Sequence, residues 1–132
     1  MARYSTFSFE EKTKIPEIEE IINQATSTSL SSGKPYILFF NIDEQSYVLV
    51  ERDQTILKNV PDGVSYNKLS GDFKIIRITV NGYNYESGCP GITFFADGSR
   101  EYAEIELESV EGTRWTVVLN PYSSVVEITQ SS

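Results

Sequence analysis

Histidine is absent from the sequence, and cysteine occurs once, at Cys89. A lone cysteine excludes an intramolecular disulfide. Without histidine, the usual base for a Ser or Cys nucleophile is missing, and one thiol with no imidazole argues against zinc. Positive charge is also scarce: 11 Lys and Arg stand against 19 Asp and Glu, a net charge of −8. That balance argues against a general nucleic-acid binder, which needs clustered cations to neutralise phosphates. It equally argues against adsorption to anionic lipid. No apolar run approaches the roughly 20 residues of a membrane helix. The first residues, Met-Ala-Arg-Tyr-Ser, lack the apolar core of a signal peptide. Walker A and Gly-x-Gly-x-x-Gly spacings are missing as well.

What the chain does have is material for a core. At 132 residues, 39% hydrophobic, with eight Tyr and seven Phe, it reads as one folded domain rather than a disordered chain. Residues 1–14 are polar and read as a flexible or added N-terminal segment, with Phe7 and Phe9 interspersed. The remainder, 15–132, reads as a single domain: a helix at about 16–31 and a β region at about 35–130.

Pro16 suits the first turn of a helix. Ile15, Ile18, Ile22, Ala25 and Ser29 then recur at three- and four-residue steps, giving one apolar packing stripe. Glu17, Glu19 and Glu20 complement the N-terminal dipole. Gly33 is the expected C-cap, and Pro35 stops continuation. Tyr36–Ile42 is a near-continuous apolar run, suited to a central strand covered on both faces, with Ser46–Glu51 as its partner beyond the Asp43-Glu44-Gln45 turn. A short strand at Thr55–Lys58 follows, then a turn at Val60–Val64. Lys74–Val80 reads as a strand with Ile76, Ile78 and Val80 on one face. Gly91–Asn120 reads as a three-stranded meander turning at Asp97-Gly98 and Glu111-Gly112. Val125–Thr129 is expected at a sheet edge.

This order predicts an α+β fold with one N-terminal amphipathic helix packed against two antiparallel sheets. Its core is expected to contain Leu38, Phe40, Val48, Val50, Ile76, Ile78, Phe94, Ile105, Leu107, Trp115 and Val117. The candidate chemistry is thin. Cys89, before Pro90-Gly91, reads as a turn or core residue. Asn41, Asp43 and Glu44 form an oxygen-rich turn without the length of an EF-hand loop, and Asp62 and Asp72 belong to other turns. Glu104, Glu106 and Glu108 share one strand face. A wet sheet face offset by Arg100, Arg114 and Lys74 is the favoured reading, with a partner-docking face as the alternative. A glycosidase pair would need a cleft. Seven tyrosines (36, 47, 66, 83, 85, 102 and 122) exceed what a small core encloses, and tyrosine favours interfaces. No catalytic constellation, metal site or cofactor site is expected.

Two segments carry a family resemblance. One is Ala-Thr-Ser-Thr-Ser-Leu-Ser-Ser-Gly-Lys-Pro-Tyr-Ile-Leu-Phe-Phe at 25–40; the other is Gly-Ile-Thr-Phe-Phe-Ala-Asp-Gly-Ser-Arg at 91–100, followed by Arg-Trp-Thr-Val-Val-Leu-Asn and a short terminal strand. Over residues 15–130 this resembles the soluble domain of the GspH/FimT family, the minor pseudopilins of type II secretion and minor pilins of type IV pili. There a helix with small residues bends through Gly-x-Pro into the first strand, and a later strand carries an Ile-x-Phe-x-x-Asp-Gly-Ser hairpin. The chain departs from the family in two places. It shows no class III leader and long apolar helix, and Pro121-Tyr122-Ser123-Ser124 replaces a Gly in the last hairpin.

The resemblance implies a pilin-like fold and a non-catalytic filament subunit, processed by a prepilin peptidase. Its anchor would be an N-terminal helix absent from this sequence, so that the chain is an engineered ectodomain, periplasmic in an inner-membrane-anchored protein of the cell envelope. Its partners would be other pseudopilins or pilins. In type II secretion it would aid protein export across the outer membrane. Two other readings stand beside this one. The first is a type IV pilus minor pilin acting in assembly or in DNA uptake, for which Arg52, Lys58, Lys68, Lys74 and Arg77 would have to converge. The second is an unrelated β-sandwich module that binds carbohydrate or protein.

Overall fold

The structure, a computed structural model, describes residues 15–52, 63–123 and 126–131. The expected N-terminal segment 1–14, the strand at Thr55–Lys58 and most of the turn before Gly63 lie outside the described residues. Among those described, the fold is α+β, with one helix and two antiparallel sheets.

Helix α1 spans Pro16–Ser32. Pro16 opens it, no side chain caps it, and Gly33 ends it in the left-handed conformation (φ 69°), donating its N–H to Ser29 O at 3.0 Å. Ile15, Ile18, Ile22 and Ala25 are buried as expected, and Ile21 joins them. The C-terminal half is rich in Ser and Thr, which favour helices poorly. Several of these hydroxyls donate back to carbonyls three or four residues earlier. That is how Ser29 occupies a stripe position with no exposure: its Oγ donates to Thr26 O at 2.9 Å.

The first sheet contains β1 (Tyr36–Asn41), β2 (Ser46–Glu51), β3 (Asn67–Lys68) and β6 (Gly91–Phe94), in the order β3-β2-β1-β6. Strand β1 is central and covered on both sides, as its unbroken apolar run predicts. Leu38 and Phe40 face the main core. Ile37 and Phe39 face a smaller cluster with Val48, Val50, Val64 and Tyr66. Val48 and Val50 therefore belong to this outer cluster and not to the main core.

The second sheet contains β4 (Phe73–Val80), β5 (Tyr83–Tyr85), β7 (Ala103–Ser109), β8 (Arg114–Leu119) and β9 (Val126–Ser131), in the order β5-β4-β7-β8-β9. Asn81-Gly82, both at positive φ, close the β4–β5 hairpin. Ala103, Ile105 and Leu107 point inward and are fully buried. Strand β9 forms an edge, as expected.

Two further expectations need correction. Ile76 is only partly buried; Ile75 takes the core position instead, because a register shift between Ile75 and Arg77 inserts an extra residue and reverses the alternation. The segment 91–120 is also not a meander. Strand β6 pairs with β1, and the Asp97-Gly98 turn yields only a bridge between Phe94 and Arg100 before the chain crosses to β7 in the other sheet. The turn itself is tight. Phe95 N donates to Ser99 O at 2.8 Å, and the Asp97 carboxylate accepts from Ser99 Oγ and N. Those bonds hold the Asp97 carboxyl below its ordinary pKa.

The helix, the inner face of the first sheet and the inner face of the second share one core, in which Ile22, Phe40, Phe94, Ile78, Ile105 and Val117 are each at most 1% exposed. The helix lies nearest β1 and β6.

Candidate functional sites: the acidic strand and a cleft beside the edge hairpin

The acidic row lies where the period of two puts it, on the outer face of β7. Its charges are largely matched. Arg77 Nε stands 3.4 Å from Glu106 and 3.6 Å from Glu86, close enough for attraction but without hydrogen-bond geometry. Arg114 Nε lies 3.5 Å from Glu108, and Lys74 sits opposite Glu108 in register. Glu104 accepts a short hydrogen bond from the Tyr102 hydroxyl, which raises the tyrosine's pKa. Three neighbours thus offset the row, but Arg100 is not among them. Its side chain is 2% exposed, and it donates to Asn120 O at 3.1 Å and Ser123 O at 2.6 Å, clasping the β8–β9 turn. Burial lowers its pKa.

The oxygen-rich turn spends its oxygens on the backbone. Asn41 Oδ1 accepts from Glu44 N at 3.0 Å, and Asp43 Oδ2 from Gly88 N at 3.1 Å. Asp72 lies in a separate exposed turn, and Asp62 is outside the described residues. Among the described residues no cluster of acids and cysteine is arranged to hold a metal ion. Cys89 is half-buried and contacts Tyr66. Burial, then the hydrogen bond with the Cys89 thiol, pushes the Tyr66 hydroxyl up to about 12.

The feature that motif reading missed is a cleft of about 490 Å³. Its floor is the outer face of the first sheet at Ile37, Gly91 and Thr93; its wall is the β4–β5 hairpin with the loop leading to β6. Gly91 keeps the floor flat. A Cβ there would stand 2.7 Å from Ile37 Cγ2 and 2.8 Å from the Phe39 ring. Glu101 braces the wall, accepting from Thr93 N and Asn81 Nδ2, both at 2.8 Å. Tyr83 and Tyr85 are 71% and 40% exposed and line the cleft with Arg52. Of the seven tyrosines, these two and Tyr122 are the exposed ones. The sequence signal is the Tyr-x-Tyr after Asn-Gly, but nothing local ties it to Arg52, some thirty residues earlier.

The basic residues are dispersed. Arg52 lines the cleft, Lys68 Nζ donates to Glu44 O at 3.4 Å, Lys74 and Arg77 belong to the second sheet, and Lys58 lies outside the described residues. Protein-family models, curated proteins and solved structures yield no match to this chain.

Proposed function

We propose that the protein is a minor pseudopilin of a type II secretion system, of the GspH/FimT kind, with a pilin-like fold and a non-catalytic role as a filament subunit. One observation carries the reading. The two segments on which the resemblance rests are far apart in sequence but lie side by side in the fold. Strand β1, entered through Gly33 and Pro35, pairs with β6, so that Leu38 stands opposite Ile92. The helix that precedes β1 reaches the hairpin that follows β6, with Leu30 against Gly98. The two family marks therefore form one structural unit, as parts of a shared fold would.

In this reading α1 extends an apolar anchor helix, other pseudopilins are the partners, and the outer face of β7 is the place to look for docking. The native gene's first thirty codons test the family: a class III leader and an apolar helix are expected, and their absence removes the reading. Deletion of the gene should abolish secretion or piliation, and normal export with normal pili in that strain counts against it. Glu104→Gln, Glu106→Gln and Glu108→Gln together should lower stability only modestly, because the half-buried pairs of Glu106 and Glu108 contribute about 0–1 kcal/mol each. Lost export in that stable variant marks a docking face.

A second reading, a saccharide- or protein-binding β-sandwich module, is favoured by the tyrosine-lined cleft.

A further inference from the structure

We propose that the cleft beside β5 binds a short saccharide carrying one carboxylate, such as a uronic acid joined to a neutral sugar. This goes beyond the filament role and does not depend on it. Tyr83 and Tyr85 alternate with Asn84 on an edge strand, so both rings fall on the face that lines the cleft. Residues two apart on a strand stand about 6.6 Å apart, comparable to the repeat of linked pyranose rings. Exposed phenol rings offer flat apolar faces to sugar C–H groups and hydroxyls to their rims.

The polar groups fit the same ligand. Among the described residues, the hydroxyls of Tyr83, Tyr85 and Ser87 have no protein partner. Asn81 commits its Nδ2 to Glu101, with no bond to its Oδ1 among the described residues, and each Glu101 oxygen already accepts one bond, from Thr93 N or Asn81 Nδ2. The site thus presents neutral donors and acceptors, with its one carboxylate bonded to the Thr93 and Asn81 N–H groups. Arg52 adds the positive charge among the described lining residues: its backbone N–H donates to Pro35 O, and its guanidinium has no acidic partner among the described residues. A guanidinium beside neutral hydroxyls selects a carboxylate through paired N–H groups. One guanidinium in the lining matches one carboxylate, and the chain's net charge of −8 disfavours polyanions at long range. The volume, about 490 Å³, lies within the ~300–1,000 Å³ of small-ligand sites.

The test is an NMR titration of the purified protein with two disaccharides at millimolar concentration: glucuronic acid joined to xylose, and xylobiose. The acidic sugar should shift the amides of residues 81–88 and bind about tenfold more tightly, a difference of about 1.4 kcal/mol. Arg52→Gln should abolish that preference and leave xylobiose binding unchanged. Tyr83→Ala should weaken both, and Tyr122→Ala, on the β8–β9 turn outside the cleft lining, neither. All three side chains lie at the surface, and unchanged dispersion of the remaining amide signals verifies folding. No shift with either sugar, shifts confined to other regions, or binding unaffected by both Arg52→Gln and Tyr83→Ala overturns the proposal. So does binding of an acidic tetrapeptide at these residues when neither sugar binds.

Discussion

Gln45 ends the turn between β1 and β2 at φ 52°, a backbone conformation that L residues seldom adopt. Its side chain compensates. Oε1 accepts from Ile75 N at 2.8 Å, and Nε2 donates to Ile75 O at 2.9 Å and Ile42 O at 2.8 Å. The amide thus occupies the edge of β4 where β5 no longer reaches, and it ties one sheet to the other. Gln45→Ala leaves the Ile75 N–H and C=O without these bonds, so urea unfolding should show a loss of roughly 1–3 kcal/mol. Gln45→Gly relieves the backbone but not the lost amide, and should recover only part of it. In sequence this glutamine is an ordinary turn residue, because its partner is 30 positions away. Tyr66 gives a residue-scale prediction in pH. Its hydroxyl has an ordinary pKa of 10.0 and is raised to about 12 in the fold. The neutral phenol is therefore favoured on folding. Its contribution is whole below pH 10 and is lost as the pH climbs toward 12. Ultraviolet titration of the native protein should show this tyrosine ionising after the exposed ones, and Tyr66→Phe should flatten the alkaline fall in stability.

At the scale of elements, α1 is the most legible part of the chain. A stripe at three- and four-residue steps, a proline at the start and a glycine at the end are all local signals, and each has its structural counterpart. The stripe's energetic weight can be measured. Ile22 has no exposure, so Ile22→Ala should cost about 2–5 kcal/mol in urea unfolding, against little for a substitution at exposed Asn23. Strand β7 is equally legible, since its alternation is strict. Strand β4 is not, at its start. The shift between Ile75 and Arg77 is set by pairing with β7 and by the Gln45 amide, neither visible in the strand's own sequence. The Asp97-Gly98 turn is legible as a turn. Which strands it separates is not, because a turn reports local backbone and not the sheet to which each arm belongs.

For the whole molecule, the sequence yields the class and the order of elements, and the structure supplies the assignment of strands to sheets. The cleft exists only at this scale. Its floor comes from β1 and β6, its wall from β4 and β5, and its charge from the end of β2. No contiguous segment contains it, so no motif announces it. The shared core also predicts the mode of unfolding. Trp115 is 3% exposed in the second sheet, whereas the far-ultraviolet signal of α1 reports the unit formed with the first. Tryptophan fluorescence and circular dichroism should therefore trace one urea transition with a common midpoint. Two separated midpoints would show that the sheets melt independently.

The crossing of β6 into the first sheet has a consequence for how the chain is made. Strand β1 leaves a ribosome some 50 residues before the strand that completes its other edge, and the second sheet has already begun between them. The nascent chain therefore holds an apolar ribbon, Ile37 to Phe40, with one side unpaired until β6 arrives, and loop closure over that distance slows assembly. No single cut separates the two sheets: one before β4 removes β6 from the first sheet, one after β6 removes β4 and β5 from the second, and one between β4 and β6 divides both. Interlacing of this kind trades speed of folding for indivisibility of the folded unit.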